Sequence, residues 1–435
     1  MSFAEKIRKI ILVIGDIICF YFSLYLMAII RNLSADYLII HLKLFSIIFL
    51  VWIFIFYIGH FYELINFRER KKIISSLTKL QIINVVLAII IFYLYPIITP
   101  KTNLILIIVF SSVFVLVWRL VFYSVFSRHL VYKTLLIGES EEIKEIKKHL
   151  EESPQLGYKL ITHIEKIDGI KKEDVERMFE KDGIKVIVVD NLSSQKELKD
   201  VLLKMMFKKV EIYDTADFYS LIFKCVPLNF VDENWFLDYF NLYHQKINLF
   251  IKDVCDFILA LIFLVVSLPF WPLIILAIKI DSAGPIFYSS WRVGQNGKLF
   301  KIYKFRSMYQ NVSNSSRWSK ENDERITRVG KFLRKTHLDE LPQLVNILKG
   351  EMSFVGPRPI EKELFDLCVK EKPIYYLRNL IKPGLAGWAQ LNYRYAACLE
   401  DELKKFEYDL YYIRNQSFWF DLAIIMRTIK LIFNW

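Results

Sequence analysis

Two adjacent carboxylates, Asp339 and Glu340, stand in the stretch Lys335-Thr336-His337-Leu338-Asp339-Glu340-Leu341-Pro342-Gln343. Leu338, Leu341, Leu344, Val345 and Leu348 recur at helical spacing, and proline is tolerated only in a first turn, so a helix is expected to begin close to Asp339. That places Asp339 near an N-cap, where unpaired N–H groups and a partial positive charge favour a phosphate or a metal-bound phosphate. An aspartate there is most often a plain cap. The cations gathered along the same stretch of chain argue for more. Residues 298–308 alternate so that Lys304 and Arg306 share one face of a strand, about 7 Å apart, which suits a diphosphate. Arg292, Arg325, Arg328, Arg334 and Arg358 are further candidates, because a guanidinium grips phosphate oxygens in bidentate fashion. Gly356-Pro357-Arg358-Pro359 and Lys382-Pro383-Gly384 read as rigid turns that hold Arg358 and Lys382 in place at low entropic cost. Trp388 fits either a base-stacking surface or a core. A carboxylate can open a diphosphate if a hard divalent cation neutralises the phosphoryl oxygens and fixed cations stabilise the leaving phosphate. Mg²⁺ is the expected metal, with Asp339 as its ligand, since carboxylate and phosphate oxygens are hard donors.

The elements that must carry this site are those of a membrane protein. Of the 435 residues 54% are hydrophobic, too many for an ordinary soluble domain, and the mean hydropathy is +0.31. The net charge of +12 suits anionic headgroups or a phosphate-rich substrate; long apolar runs make nucleic acid the weaker partner. Cys19, Cys225, Cys255, Cys368 and Cys398 form no Cys-x-x-Cys pair, so neither a zinc site nor a disulfide framework is indicated. Apolar stretches at roughly 10–30, 44–62, 80–98 and 104–125 each approach the length of a membrane helix. Positive charges at Lys6, Arg8, Lys9, Arg68, Arg70, Lys71 and Lys72 put both ends of this four-helix transmembrane bundle in the cytoplasm. The first run is not a cleavable signal: it is too long, carries Asp16 and lacks a small-residue cleavage site. Asp16 and Arg119 are costly in hydrocarbon, and either pairing of the two or snorkelling by Arg119 would relieve the cost.

After Arg128, strands at 134–138, 158–163, 185–190 and 209–213 alternate with helices at 141–151, 171–181 and 194–207, which implies a parallel sheet covered by helices, a Rossmann-like arrangement. Its first turn, Gly138-Glu139-Ser140-Glu141-Glu142, lacks the later glycines of a dinucleotide fingerprint and offers carboxylates where a pyrophosphate would lie. The run from Val254 to Ile280 is interrupted by Ser267, Pro269 and Pro272 and flanked at both ends by lysine and arginine. A helix that enters and leaves the same leaflet reconciles this charge with the length, a kinked fifth span being the alternative. The tail from Ser417 to Trp435 reads as an amphipathic helix, either lying in the membrane interface or packing on the core.

The motifs Trp291-Arg292-Val293-Gly294, Tyr303-Lys304-Phe305-Arg306-Ser307-Met308, Asp323-Glu324-Arg325-Ile326-Thr327-Arg328-Val329-Gly330, Leu338 to Gln343, Met352 to Pro359 and Lys382 to Gln390, in this order, resemble the bacterial polyprenyl-phosphate hexose-1-phosphate transferases, the monotopic phosphoglycosyl transferases. The resemblance implies a multi-domain membrane protein: a transmembrane bundle over 1–130, a Rossmann-like domain over 131–245, and a re-entrant helix with an α/β catalytic domain over 246–435. It further implies that Asp339 attacks the sugar-bearing phosphate of a UDP-sugar, releasing UMP, and that polyprenyl phosphate then takes the sugar phosphate, at the cytoplasmic face of the bacterial inner membrane. Glu340 would assist with the metal or with a proton, two roles that sequence does not separate. Trp291, Ala386 and His337 stand where the family usually has glutamate, threonine and serine, which leaves the sugar preference open; a homo-oligomer also stays open. A membrane-anchored NAD-dependent nucleotide-sugar dehydratase or epimerase is the rival enzyme, and would need a glycine-rich loop and a Tyr-x-x-x-Lys pair that do not appear after residue 230. A non-enzymatic membrane scaffold gives no reason for the clustered acidic, arginine and proline motifs.

Overall fold

A computed structural model describes residues 3–59, 61–62, 70–94, 101–128, 131–165, 182–190, 196–208, 210–231, 242–309, 325–393 and 398–432. The helix expected over 171–181, together with Arg68, Asp323, Glu324 and Trp435, lies outside the described residues. The chain forms two compact units, 1–222 and 223–435.

The first unit opens with four apolar helices, α1 (Phe3–Ile30), α2 (Ala35–Ile58), α3 (Arg70–Leu94) and α4 (Lys101–Arg128), each long and apolar enough to cross a membrane. They share one core in which Phe20, Phe45, Phe49, Trp52 and Phe56 interlock ring on ring. Outward-facing positions such as Ile18, Leu50, Ile82 and Ile105 are as apolar as the core, the pattern of a surface that meets lipid. Inside the core Arg119 Nη2 donates to Asp16 Oδ2 at 2.6 Å, both side chains fully buried, and the guanidinium lies over the Phe61 ring.

The α/β part follows. Strands β1 (Tyr132–Ile137), β2 (Tyr158–Ile164), β3 (Val186–Val189) and β4 (Glu211–Asp214) form a parallel sheet in the order β2-β1-β3-β4. Helices α5 (Glu141–Glu152), α6 (Lys196–Phe207) and α7 (Thr215–Phe223) accompany it. Ile143, Ile146 and Leu150, spaced for one helical face, bury α5. Gly138 has φ +138°, and a β-carbon there would lie 2.2 Å from Asp190 Oδ2. That carboxylate accepts from the Ser140 N–H at 3.0 Å, from Ser140 Oγ at 2.8 Å and from Thr215 Oγ1 at 2.7 Å. A carboxylate of the chain itself thus occupies the turn between β1 and α5.

The second unit begins earlier than the boundary expected at 245. Val226 N–H donates to Glu407 O and the Trp388 indole N–H to Lys224 O, so the segment before residue 231 is stitched to the C-terminal core by pairings invisible in local sequence. Helices α8 (Leu242–Ser267) and α9 (Trp271–Asp281) are separated by a 3₁₀ turn, Leu268–Phe270. Pro269 sits at the start of this 3₁₀ turn and Pro272 in the first turn of α9, where a missing N–H costs little. Ser267 Oγ donates to Leu264 O and accepts from the Trp271 indole, bridging the break. Both ends of the broken helix are tied to this same unit. At the start, Lys252 pairs with Asp421 at 2.6 Å and Asp253 with Lys382 at 2.7 Å; at the end, Val329 N–H donates to Asp281 Oδ2 at 2.9 Å. The residues exposed in the middle, Val265, Val266, Leu268, Phe270 and Leu273 among them, are apolar, while Ser267 is buried.

The rest of the unit comprises an antiparallel hairpin, β5 (Phe287–Val293) with β6 (Leu299–Phe305), and a parallel pair, β7 (Ser353–Val355) with β8 (Gly384–Ala386). Around them lie α10 (Arg328–Thr336), a 3₁₀ turn (Leu338–Gln343), α11 (Leu344–Leu348), α12 (Lys362–Glu371), α13 (Trp388–Asn392), α14 (Leu399–Asn415) and α15 (Phe418–Ile432). The tail helix α15 packs Phe420, Ile424 and Ile425 into the core while Phe418 and Trp419 stay exposed.

Candidate active site

The carboxylates are placed by apolar anchors on either side. Leu338 and Leu341 pack against Phe305, Leu333 and Ile278, while Leu344 and Ile347 pack against Phe300, Ile302 and Ala260. Asn346, fully buried, donates to Lys301 O and Glu351 Oε2 at 2.7 Å each and accepts from the Tyr303 N–H, pinning the turn to β6. The preceding helix is set by Thr327, whose hydroxyl caps Gly330 N–H, and by Gly330 itself, where a β-carbon would lie 2.0 Å from Ser307 O.

The expected N-cap is corrected by the structure. His337, in the left-handed conformation with φ 56°, ends α10, and residues 338–343 form a 3₁₀ turn before the short α11. In an α-helix already running at Leu338 the Pro342 ring would meet the Leu338 carbonyl, and residues 338–343 take the tighter 3₁₀ turn instead. Asp339 and Glu340 therefore lie inside this turn, 5% and 8% exposed.

Their surroundings differ. Glu340 Oε1 accepts from Lys304 Nζ at 2.5 Å and from Arg358 Nη2 at 3.4 Å. Burial pushes the Glu340 carboxyl up, but Lys304 and Arg358 outweigh it and hold it at about 2. Asp339 forms no hydrogen bond or ion pair among the described residues, and burial together with the Glu340 charge raises its carboxyl above the usual range, against the pull of Lys304, Arg334 and His337. One carboxylate is spent on fixed cations and the other is left available.

Of the expected phosphate-binding cations, Lys304, Arg334 and Arg358 gather here. Arg292 feels Arg358 but pairs with Glu361 at 2.9 Å, and burial lowers its pKa. Arg306 lies past the end of β6, and the expected pair with Lys304 does not form. Its guanidinium is buried and donates to Ser282 O at 2.6 Å, Ala283 O at 3.0 Å and Ile278 O at 3.3 Å, satisfying carbonyls at the end of α9. Lys382 is held by Asp253 on α8. Arg328 is exposed and lines an open cleft with Ile280, Asp281 and Tyr309; the Arg325 carbonyl accepts from Tyr309 N–H. Trp388 is 5% exposed, stacked on Tyr411 and edge-on to Phe420, a core residue. Asn346 escaped the sequence reading, although a lone amide in an otherwise apolar helical stretch was its signal. His337, which the sequence marks only as a departure from the family pattern, supplies the left-handed residue between α10 and the carboxylate turn.

Among the described residues no three His, Cys, Asp or Glu side chains converge as a metal cage. The donor set nonetheless fits Mg²⁺, which takes one or two protein carboxylates and fills the rest of its shell with water and substrate phosphate. An unpaired aspartate whose ionisation is hindered by burial and by a neighbouring carboxylate is a place where a divalent cation would supply the missing countercharge.

Residues 247–435 match the family model described as bacterial sugar transferase. A UDP-N-acetylgalactosamine-undecaprenyl-phosphate N-acetylgalactosaminephosphotransferase of Aeromonas hydrophila is 42% identical over 44% of this chain and 46% of its own length. An undecaprenyl-phosphate glucose phosphotransferase of Komagataeibacter xylinus is 29% identical over 70% of this chain and 59% of its own length. These matches span only about half of the length of such relatives. An uncharacterized sugar transferase of Bacillus subtilis is 41% identical over 36% of this chain, and there the match covers 74% of the relative. With that coverage, the chain belongs to the bacterial sugar transferases.

Proposed function

We propose that the protein transfers a sugar-1-phosphate from a UDP-sugar to polyprenyl phosphate, giving a polyprenyl-diphosphate sugar and UMP at the first membrane step of surface-glycan assembly. The observation that carries this reading is the division between the two carboxylates, Glu340 locked to Lys304 and Arg358 and Asp339 unpaired beside it. In the reaction, an Asp339 carboxylate oxygen attacks the sugar-bearing phosphorus, and the bond from that phosphorus to the bridging oxygen breaks, so that UMP leaves with the oxygen. A phosphate oxygen of the lipid then attacks the aspartyl phosphate, restoring the carboxylate. Lys304, Arg334 and Arg358 would hold phosphoryl oxygens and stabilise the leaving UMP. Mg²⁺, held by Asp339 with Glu340 beside it, would neutralise charge on the diphosphate.

The membrane placement follows the same logic. Four N-terminal spans would anchor the chain in the bacterial inner membrane, and α8–α9 would dip into and return from its cytoplasmic leaflet, because both helix ends are tethered to one polar unit while the apex is apolar. The lipid substrate would then reach the site without leaving the bilayer. Single cysteines near Gln245 and Ser282 should both be labelled only from the cytoplasmic side; labelling of the second from outside would convert the dip into a fifth span.

The nucleophile is tested without the lipid. Enzyme, Mg²⁺ and the right UDP-sugar should release UMP in an amount comparable to the enzyme, and labelled UMP should exchange into UDP-sugar. Asp339→Asn should fold and lose both reactions, by at least about 10³-fold. Near-normal transfer by this variant would sink the assignment; normal turnover of the wild type without exchange would sink only the two-step route.

A further inference from the structure

Behind Arg358 lies a buried charged cluster that the chemistry above does not use. Arg378, in the 3₁₀ segment Pro373–Leu380, is 4% exposed. Its Nη2 donates to Asp409 Oδ2 at 2.9 Å, and its Nη1 donates to the Tyr375 hydroxyl and lies 3.5 Å from Glu402 Oε1. Asp409 and Glu402 both come from α14, so the guanidinium is anchored to a helix on one side. On the other side the same Nη2 donates to the Arg358 carbonyl at 3.0 Å. The loop is held at its flanks by other bonds: Gly356 N–H to Ala386 O, Gly384 N–H to Pro357 O, and Val293 N–H to Ile360 O. Arg358, with its side chain 47% exposed, stands at the middle of that loop.

Burying an arginine with two carboxylates is costly, and an apolar cluster of similar volume would hold this core at least as well. The cluster does something an apolar one cannot: the planar fork meets a carboxylate and a backbone carbonyl together, and so fixes the main chain from which Arg358 reaches Glu340. We propose that Arg378, anchored by Asp409 and Glu402, is a positioning residue that sets Arg358 against Glu340 in the carboxylate site. The proposal rests on the transfer reading for its effect on rate, but not for its effect on the loop.

The test is a double-mutant cycle in the full-length protein in a membrane mimetic. Arg378→Lys keeps a positive charge near Asp409 and Glu402 but cannot reproduce the fork. It should lower kcat/KM about tenfold, the scale of one charge-assisted hydrogen bond. In an Arg358→Ala background the same change should cost less than about twofold, because the group through which it acts is gone. An equal loss in both backgrounds overturns the proposal and makes Arg378 a plain core residue. Should Arg378→Lys fail to fold, Asp409→Asn, which keeps the shape and loosens the anchor, goes through the same cycle with the same criterion. Amide exchange at Gly356, Arg358 and Ile360, the residues of the loop that carry an N–H, supplies a readout independent of turnover: it should quicken in the variant while α14 stays protected, and unchanged exchange refutes the proposal. A wild type without transfer would remove the transfer reading, and the exchange comparison would still decide the positioning one.

Discussion

Two buried aspartates, Asp16 in the first unit and Asp339 in the second, are treated in opposite ways. In the helical core of the first unit Asp16 meets Arg119 at 2.6 Å and the two are fully buried. In the second unit Glu340 pairs with Lys304 and Arg358, and Asp339 next to it forms no ion pair among the described residues. A paired buried charge is inert, because every change to it costs desolvation. An unpaired one persists only where the surrounding structure carries the expense, and such sites are where chemistry is found. Residue type does not distinguish the two aspartates; their partners do.

The contrast can be broken at the structural pair first, where the largest effect on stability is expected. Asp16→Ala leaves a buried guanidinium without its carboxylate and should destabilise the first unit by about 3 kcal/mol or more, read as a lower midpoint of thermal unfolding in detergent or nanodiscs. Replacing both partners, Asp16→Leu with Arg119→Met, should restore most of it. If Asp16→Ala alone is harmless, the pair contributes nothing and the comparison fails.

A smaller effect, on rate and pH dependence, is expected at the site. Lys304→Met removes the nearer cation from Glu340 and should slow transfer by roughly 10²-fold, the usual scale for one electrostatic contact in an active site. The sign of the pH change follows from the depressed carboxyl. With its folded-state value at about 2, below the ordinary 4.5, Glu340 keeps its charge and contributes stability above about pH 4.5, losing it only as the pH falls towards 2. Without Lys304 the folded value rises and that window narrows from its acid side, so the acid limb of the rate profile should move to higher pH. A limb that stays in place would show that Lys304 does not control the charge of the carboxylates.

Local sequence determined the parts whose cause is local. Apolar length announced the four N-terminal helices, the alternation of apolar runs and charged helices announced the parallel sheet, and Ser267, Pro269 and Pro272 marked the break between α8 and α9, because an imide nitrogen interrupts a helix wherever it falls. The adjacent carboxylates and the cation-bearing motifs were legible as a set. Tertiary structure alone decided which of those charges remain available. Arg306 was drawn to the carbonyls at the end of α9, Lys382 to Asp253, Arg292 to Glu361, and Glu340 to Lys304 and Arg358. Arg378 was joined to Glu402 and Asp409 across two elements, and Asp190 was brought over the Gly138 turn. The reason is one of range: helix, strand and proline signals act over a few residues, whereas a charge takes whichever partner folding brings within about 4 Å, and these partners lie tens of residues away along the chain.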